Sequence, residues 1–182
     1  MPVLSYASII VKPYFLNLLE TFYLPLGRRL RPALKAIILA LLPGIDEEGG
    51  EYFDETLNLL ESVREAVAEE TYFWQCFLLA TITSHARRQG ALAFLTRKLP
   101  KLDSKEALTS SLVTPEPGLL LRCFSAGLHD ENLLVQRGFL DLLVQNLPLS
   151  SPILQKYAGP SLRCSALNDL TKLAFSNYPR KS

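Results

Sequence analysis

Ser84 to Pro100, SHARRQGALAFLTRKLP, is the stretch that decides the fold. Ser84 can offer a side-chain oxygen to a first helical turn. Leu99-Pro100 closes the far end, because proline lacks the N–H that would continue the ladder. Between them Ala86, Leu92, Ala93, Phe94, Leu95 and Leu99 cover a broad apolar face. Gly90 sits inside the run, where glycine costs about 1 kcal/mol relative to alanine. A glycine there predicts a neighbouring helix pressed close. The design returns at Asn132 to Pro148, NLLVQRGFLDLLVQNLP, where Gly138, like Gly90, stands ten residues ahead of the closing proline. The offset of 48 residues is near the roughly 40–47 residue period of HEAT and armadillo arrays. It points to stacked helix pairs.

Working outward, prolines punctuate the rest. Pro13 suits a first helical position, and YFLNLLETFYL carries an apolar face to Pro25. Pro32 fits the first turn of a helix through ALKAIILALL to Pro43. The loop GIDEEGG precedes a helix over about 51–68, with Phe53, Leu57, Leu60, Val63 and Val67 at amphipathic spacing. Thr71 can cap YFWQCFLLATITS, which is apolar on nearly every side and is expected to be the central buried helix. Residues 101–114 read as the longest loop. Pro117 opens a helix that Gly127 can end in the left-handed conformation, and Asp130 can cap the next, to Leu147. Ser151-Pro152 opens a short helix broken by Ala158-Gly159-Pro160, and a last amphipathic helix fits 163–175. No stretch alternates as a strand does. The expected fold is all-α, a HEAT/armadillo-like α-solenoid of stacked antiparallel helix pairs.

With 182 residues, 48% of them apolar, and a net charge of +1, the chain has material for a real core and is no general polyanion binder. Cys76, Cys123 and Cys164 are odd in number and widely spaced, which suits a reducing compartment better than a disulfide framework. No cysteine–histidine cluster has zinc spacing, and no cofactor is implied. The start, MPVLSYASIIV, lacks the basic region of a signal peptide. The longest apolar run, Ala36 to Ile45, is half a membrane span. A cytosolic protein with at most peripheral membrane contact is expected.

Charge is segregated along the chain. Ten acids lie between Asp46 and Glu70 against Arg64 alone, and no acid occurs from Thr71 to Leu102. The candidate site is a basic patch for anionic lipid head groups or a partner: Arg28, Arg29, Arg87, Arg88, Arg97 and Lys98. A basic residue near an anionic membrane contributes about 1 kcal/mol. The competing reading pairs these cations with the acidic helix beside them. The acids of GIDEEGG lack the alternating ligands of a calcium loop and suit a helix N-terminus instead. His85 and His129 fall at helix boundaries, where capping is the usual role. A Cys76 or Cys123 nucleophile would need one of them by chance approach in space. No phosphate loop, GxSxG or HExxH is present. Phe73, Trp74, Phe77 and Leu78 read as core. Arg122 and Arg137, in otherwise apolar helices, call for partners such as helix C-terminal carbonyls, with Asp141 a candidate for Arg137.

The blocks SYASIIVKPYFLNLLETFYLPLG, RPALKAIILALLPGIDEEGGEYFDETLNLLESV, YFWQCFLLATITS, RRQGALAFLTRKLPKL and LLVQRGFLDLLVQNLPL, in this order, resemble the N-terminal domain of the Dopey family. The resemblance covers roughly Leu4 to Gln155. It implies an N-terminally truncated family domain over 1–157, followed by a divergent tail over 158–182. Helices missing ahead of Leu4 would leave an apolar face uncovered near residues 3–24. The resemblance further implies a non-enzymatic protein, peripheral on Golgi, trans-Golgi network and endosome membranes, acting in vesicle-mediated protein transport between them. Implied partners are an Arf-exchange-factor-like Golgi scaffold, a phospholipid flippase, and an anionic phospholipid surface or kinesin motor, with no nucleic acid. The alternatives are a lipid- or phosphoinositide-binding helical domain and a nonfunctional fragment.

Overall fold

Proline and glycine placement sets the element boundaries. The computed structural model describes residues 10–148 and 151–157, and no strand occurs among them. The expected 163–175 helix, the break at Ala158-Gly159-Pro160, Cys164 and residues 3–9 of the apolar face lie outside the described residues. The chain divides into two compact units, Met1–Leu99 and Pro100–Ser182. That division follows the Leu99-Pro100 stop.

In the first unit, α1 (Val11–Leu18) runs into a π turn (Leu19–Tyr23) and then a 3-10 stretch (Leu24–Ala33). Pro25 has no N–H for the regular ladder, and the wide and tight turns around it accommodate the loss. Gly27 adopts φ 53°, a region open to glycine at little cost, and breaks the 3-10 stretch just beyond the expected stop. Next come α2 (Leu34–Leu41), a 3-10 turn over Leu42–Ile45, α3 (Phe53–Val67) and α4 (Glu70–Thr83). A 3-10 turn, His85–Arg87, then leads into α5 (Arg88–Lys98).

The core of this unit is aromatic. Helix α4 buries Phe73, Trp74, Phe77, Leu78, Ala80 and Thr81, as its uncharged composition predicts. Phe94 of α5 closes on it, with ring centroids 4.8 Å from Phe77 and 6.1 Å from both Phe73 and Trp74. Such pairs add about 0.5–1.5 kcal/mol beyond burial. Gly90 makes the expected close approach: a Cβ there would collide with the Leu42 carbonyl oxygen. Two caps differ from expectation. The Ser84 side chain makes no capping bond; its carbonyl instead accepts from Arg87 N at 3.1 Å, starting the 3-10 turn. Helix α4 starts one residue before Thr71, with Glu69 extended at the cap position.

The second unit is built on leucine. It comprises a 3-10 turn (Lys105–Thr109), α6 (Pro117–Leu128), α7 (Leu133–Asn146) and α8 (Pro152–Tyr157). The 101–114 segment is a packed connection. Leu102 and Val113 are buried, Leu102 N donates to the Asn146 carbonyl at 2.6 Å, and Ser151 Oγ donates to the Leu102 carbonyl. Gly127 does not end α6 in a left-handed conformation; Gly27 is the described glycine with positive φ. Gly127 is buried against Phe139 of α7. The helix is closed by His129, whose Nδ1 donates to the Ser125 carbonyl at 2.8 Å. Asn132, not Asp130, caps α7, accepting from Leu134 N at 2.9 Å; Asp130 accepts from Asn132 N one step earlier. Helices α5 and α7 end alike, with Leu99 N and Leu147 N donating to Leu95 and Leu143 carbonyls and each leucine leaving helical geometry ahead of its proline.

Candidate functional site

The six basic residues have different fates. Arg28 and Arg29 follow the Gly27 turn, are exposed, and form no ion pair among the described residues. Arg87 is half-buried, and its charge acts on Asp46. Arg88 is 3% exposed. Its guanidinium donates to the Thr81 and Ile82 carbonyls at 3.1 and 3.0 Å and to His85 Nδ1 at 2.9 Å. Those carbonyls are orphans of the last turn of α4, which ends without a glycine cap. Arg88 is thus committed inside the unit and does not face a head group. Arginine has no acceptor, so His85 Nδ1 must carry a lone pair.

Arg97 and Lys98 meet acids. Arg97 pairs with Glu48 at 3.0 Å and lies over the Phe53 ring, 4.7 Å from its centroid. Lys98 stands 3.5 Å from Glu61, which also binds Arg64 at 2.9 Å. Arg31 joins the same pattern through Glu69 at 2.5 Å. Basic residues near the acidic run therefore pair with several of its acids, and each partly exposed pair contributes about 0–1 kcal/mol. Of the six residues, Arg28 and Arg29 are the exposed ones with no ion pair among the described residues.

The carbonyl-seeking role expected of Arg122 belongs to Arg88. Arg122 is exposed and pairs with Glu116, while Arg137 and Asp141 are both exposed and not ion-paired among the described residues. The signal for Arg88 was a helix with no glycine at its end and an arginine five residues beyond Thr83.

Asp46 of the GIDEEGG loop takes an anion's place at a helix N-terminus, but that of α5 rather than α3. Its carbonyl accepts from Gln89 Nε2 at 2.8 Å, and its side chain lies against Gly90. Burial pushes the carboxyl above its ordinary pKa; the Arg87 charge and the Gly90 N–H offset part of this, and Glu47 adds to it. Oδ1 is buried without a hydrogen-bond partner among the described residues. Cys76 and Cys123 are buried. Burial raises the Cys76 pKa, with Tyr72 and Lys35 pulling the other way, which is the reverse of an activated nucleophile. Among the described residues no group of acids, histidines and cysteines could hold a metal ion, and no helix is long and apolar enough to cross a membrane.

One surface stands out. On α1 and the turns after it, Ile10, Val11, Tyr14, Leu18, Phe22, Tyr23 and Leu26 are exposed, Tyr14 at 73% and Phe22 at 68%. Leu16 and Leu19 anchor the opposite side in the core. This is the described part of the apolar face expected near residues 3–24.

Comparison with known proteins gives a consistent answer. A family model described as Dopey, N-terminal, matches residues 1–177, running into the tail over 158–182. The protein named dop1 from Emericella nidulans is 49% identical over 187 residues, covering 85% of this chain and 10% of the relative. Protein DOP1 of Saccharomyces cerevisiae is 34% identical, over 85% of this chain and 11% of its own length. Protein DOP1B of Xenopus laevis is 32% identical, over 82% and 6%. The chain thus spans about a tenth or less of the length of these relatives. No solved structure matches.

Proposed function

The chain belongs to the Dopey family, and from that membership we propose that it is a non-enzymatic interaction module in vesicle-mediated protein transport between endosomes and the trans-Golgi network. Its helix pairs form part of an α-solenoid that contributes to a scaffold complex on the cytosolic face of Golgi and endosomal membranes. The partner it engages is an Arf-exchange-factor-like scaffold, with a phospholipid flippase in the same assembly; an anionic lipid surface or a kinesin motor is the further contact. The observation that carries this reading is the match of nearly the whole chain to the N-terminal part of much longer relatives. An all-helical unit with a large exposed apolar face also suits docking better than catalysis.

Capture of the tagged chain from cell lysate, probed for the scaffold, tests it, with a circular dichroism melt of the same sample. A cooperative helical melt with scaffold recovered is the expected result. A folded chain that recovers no scaffold removes this role from the segment.

A further inference from the structure

We infer that the exposed face of α1 is a docking surface for an amphipathic helix that carries carboxylates at one end. The inference rests on reading the chain as an interaction module. Val11, Tyr14, Leu18 and Phe22 follow the three-and-four spacing of a single helix face, the ridge on which a second helix packs. Tyr and Phe supply the large anchors that dominate such interfaces. Exposed Asn17 and Thr21 border the stripe, giving the apolar centre and polar rim of a protein contact.

Charge fixes the occupant's chemistry and orientation. Arg28 and Arg29 close the stripe just past Leu26, exposed and unpaired among the described residues. Other cations near the acidic run are engaged: Arg31 by Glu69, Arg64 by Glu61, Arg97 by Glu48 and Lys98 by Glu61. A helix laid along the stripe therefore meets two free guanidiniums at one end, and carboxylates there complement them. A membrane fits less well. Interfacial helices carry lysine and arginine along the polar face, whereas here the side away from the stripe carries an exposed Glu20, and Lys12 is half-buried.

The test is selection from a displayed library of 18-residue amphipathic helical peptides with both ends randomised, using the whole purified chain as bait. Enriched peptides should carry apolar residues at three-and-four spacing and Asp or Glu at one end. A selected peptide should lose at least tenfold in affinity against Phe22→Glu or Tyr14→Glu, either of which changes an exposed side chain. Arg28→Glu with Arg29→Glu should weaken binding several-fold, and lysine in place of the peptide's acids should restore it. A folded bait that enriches nothing, or peptides without acids, overturns the inference. So does sedimentation with phosphatidylcholine–phosphatidylserine vesicles that Phe22→Glu abolishes, or a dimer of the chain that the same substitution dissolves. Scaffold capture without peptide binding overturns the surface alone; peptide binding without scaffold capture supports the surface and removes the transport role.

Discussion

In the first unit a glycine lets a helix lean on a backbone carbonyl; in the second a glycine makes room for an aromatic ring. Gly90 of α5 faces Leu42 O, and a Cβ there would also stand 2.9 Å from the Leu42 carbonyl carbon and 2.7 Å from Asp46 Oδ1. Gly127 of α6 faces the Phe139 ring of α7. Both sites are closed to a methyl group, but the obstacles differ in kind. A carbonyl in a 3-10 turn cannot be trimmed. A side chain can. Two helix contacts that look equally tight in the folded chain should therefore respond differently to the same substitution and to attempts at rescue.

The largest effect is expected at Gly90. Gly90→Ala should destabilise the first unit by about 3 kcal/mol, the upper end of overpacking costs, since α5 must move off the Leu42–Ile45 turn and carry Phe94 away from the α4 rings. A urea titration followed by circular dichroism would read it. Trimming Asp46 should recover little of the loss, because the carbonyl remains. Full recovery on trimming Asp46 would break the contrast by showing that a side chain was the obstacle.

Second comes Arg88. Arg88→Leu keeps apolar bulk but leaves the Thr81 and Ile82 carbonyls without their donor, at a cost of about 1–3 kcal/mol. Arg29→Leu should change stability by less than about 0.5 kcal/mol, since Arg29 is exposed and not ion-paired among the described residues. Equal effects of the two would mean that burial and hydrogen bonding do not separate these arginines.

At Gly127 the expected cost of alanine is about 1–2 kcal/mol, and here rescue should work. With Phe139→Leu in the same chain the two costs should sum to less than their separate values, as for residues sharing one space. Strict additivity would show that the ring is not what Gly127 accommodates.

These contrasts bear on what the sequence carries. The helices were legible because their signals are local. An uncharged run such as YFWQCFLLATITS has to be interior, and Pro100 and Pro148 have to stop what precedes them. Gly90 was legible as a close approach because a glycine inside a helix has few other reasons to be there. Gly127 was not, since a glycine near a helix end fits a cap as well as a contact, and only the position of α7 decides. The cap positions at Asn132 and Glu69 lie two residues from the expected Asp130 and Thr71, and the sequence pattern does not decide between such near neighbours. Arg88 reads in sequence like its neighbour Arg87: the missing glycine at the end of α4 calls for a donor but does not tell which arginine supplies it. The apolar stripe of α1 was visible in spacing, and the Gly27 turn that precedes Arg28 and Arg29 was not.

Asp46 gives a small expected effect, and the one whose size depends on pH. Its carboxyl is raised above the ordinary range mainly by burial, so the folded chain holds the proton more tightly than the unfolded chain does. A raised carboxyl contributes stability below its unfolded pKa, and that contribution is lost as pH rises through the folded value. At pH 7 the ionised side chain is therefore a net cost, reduced but not cancelled by Arg87 and the Gly90 N–H. Asp46→Asn keeps the shape and an acceptor for that N–H while removing the charge. It should stabilise the first unit at pH 7 by less than about 1 kcal/mol, because partial exposure screens the term. The advantage should shrink to nothing at about pH 3, where the native carboxyl is itself neutral. Destabilisation at pH 7 would mean that the charge on the α5 N-terminus outweighs burial. Asp46 would then hold α5 against Leu42 by attraction, making the Gly90 contact electrostatic as well as steric.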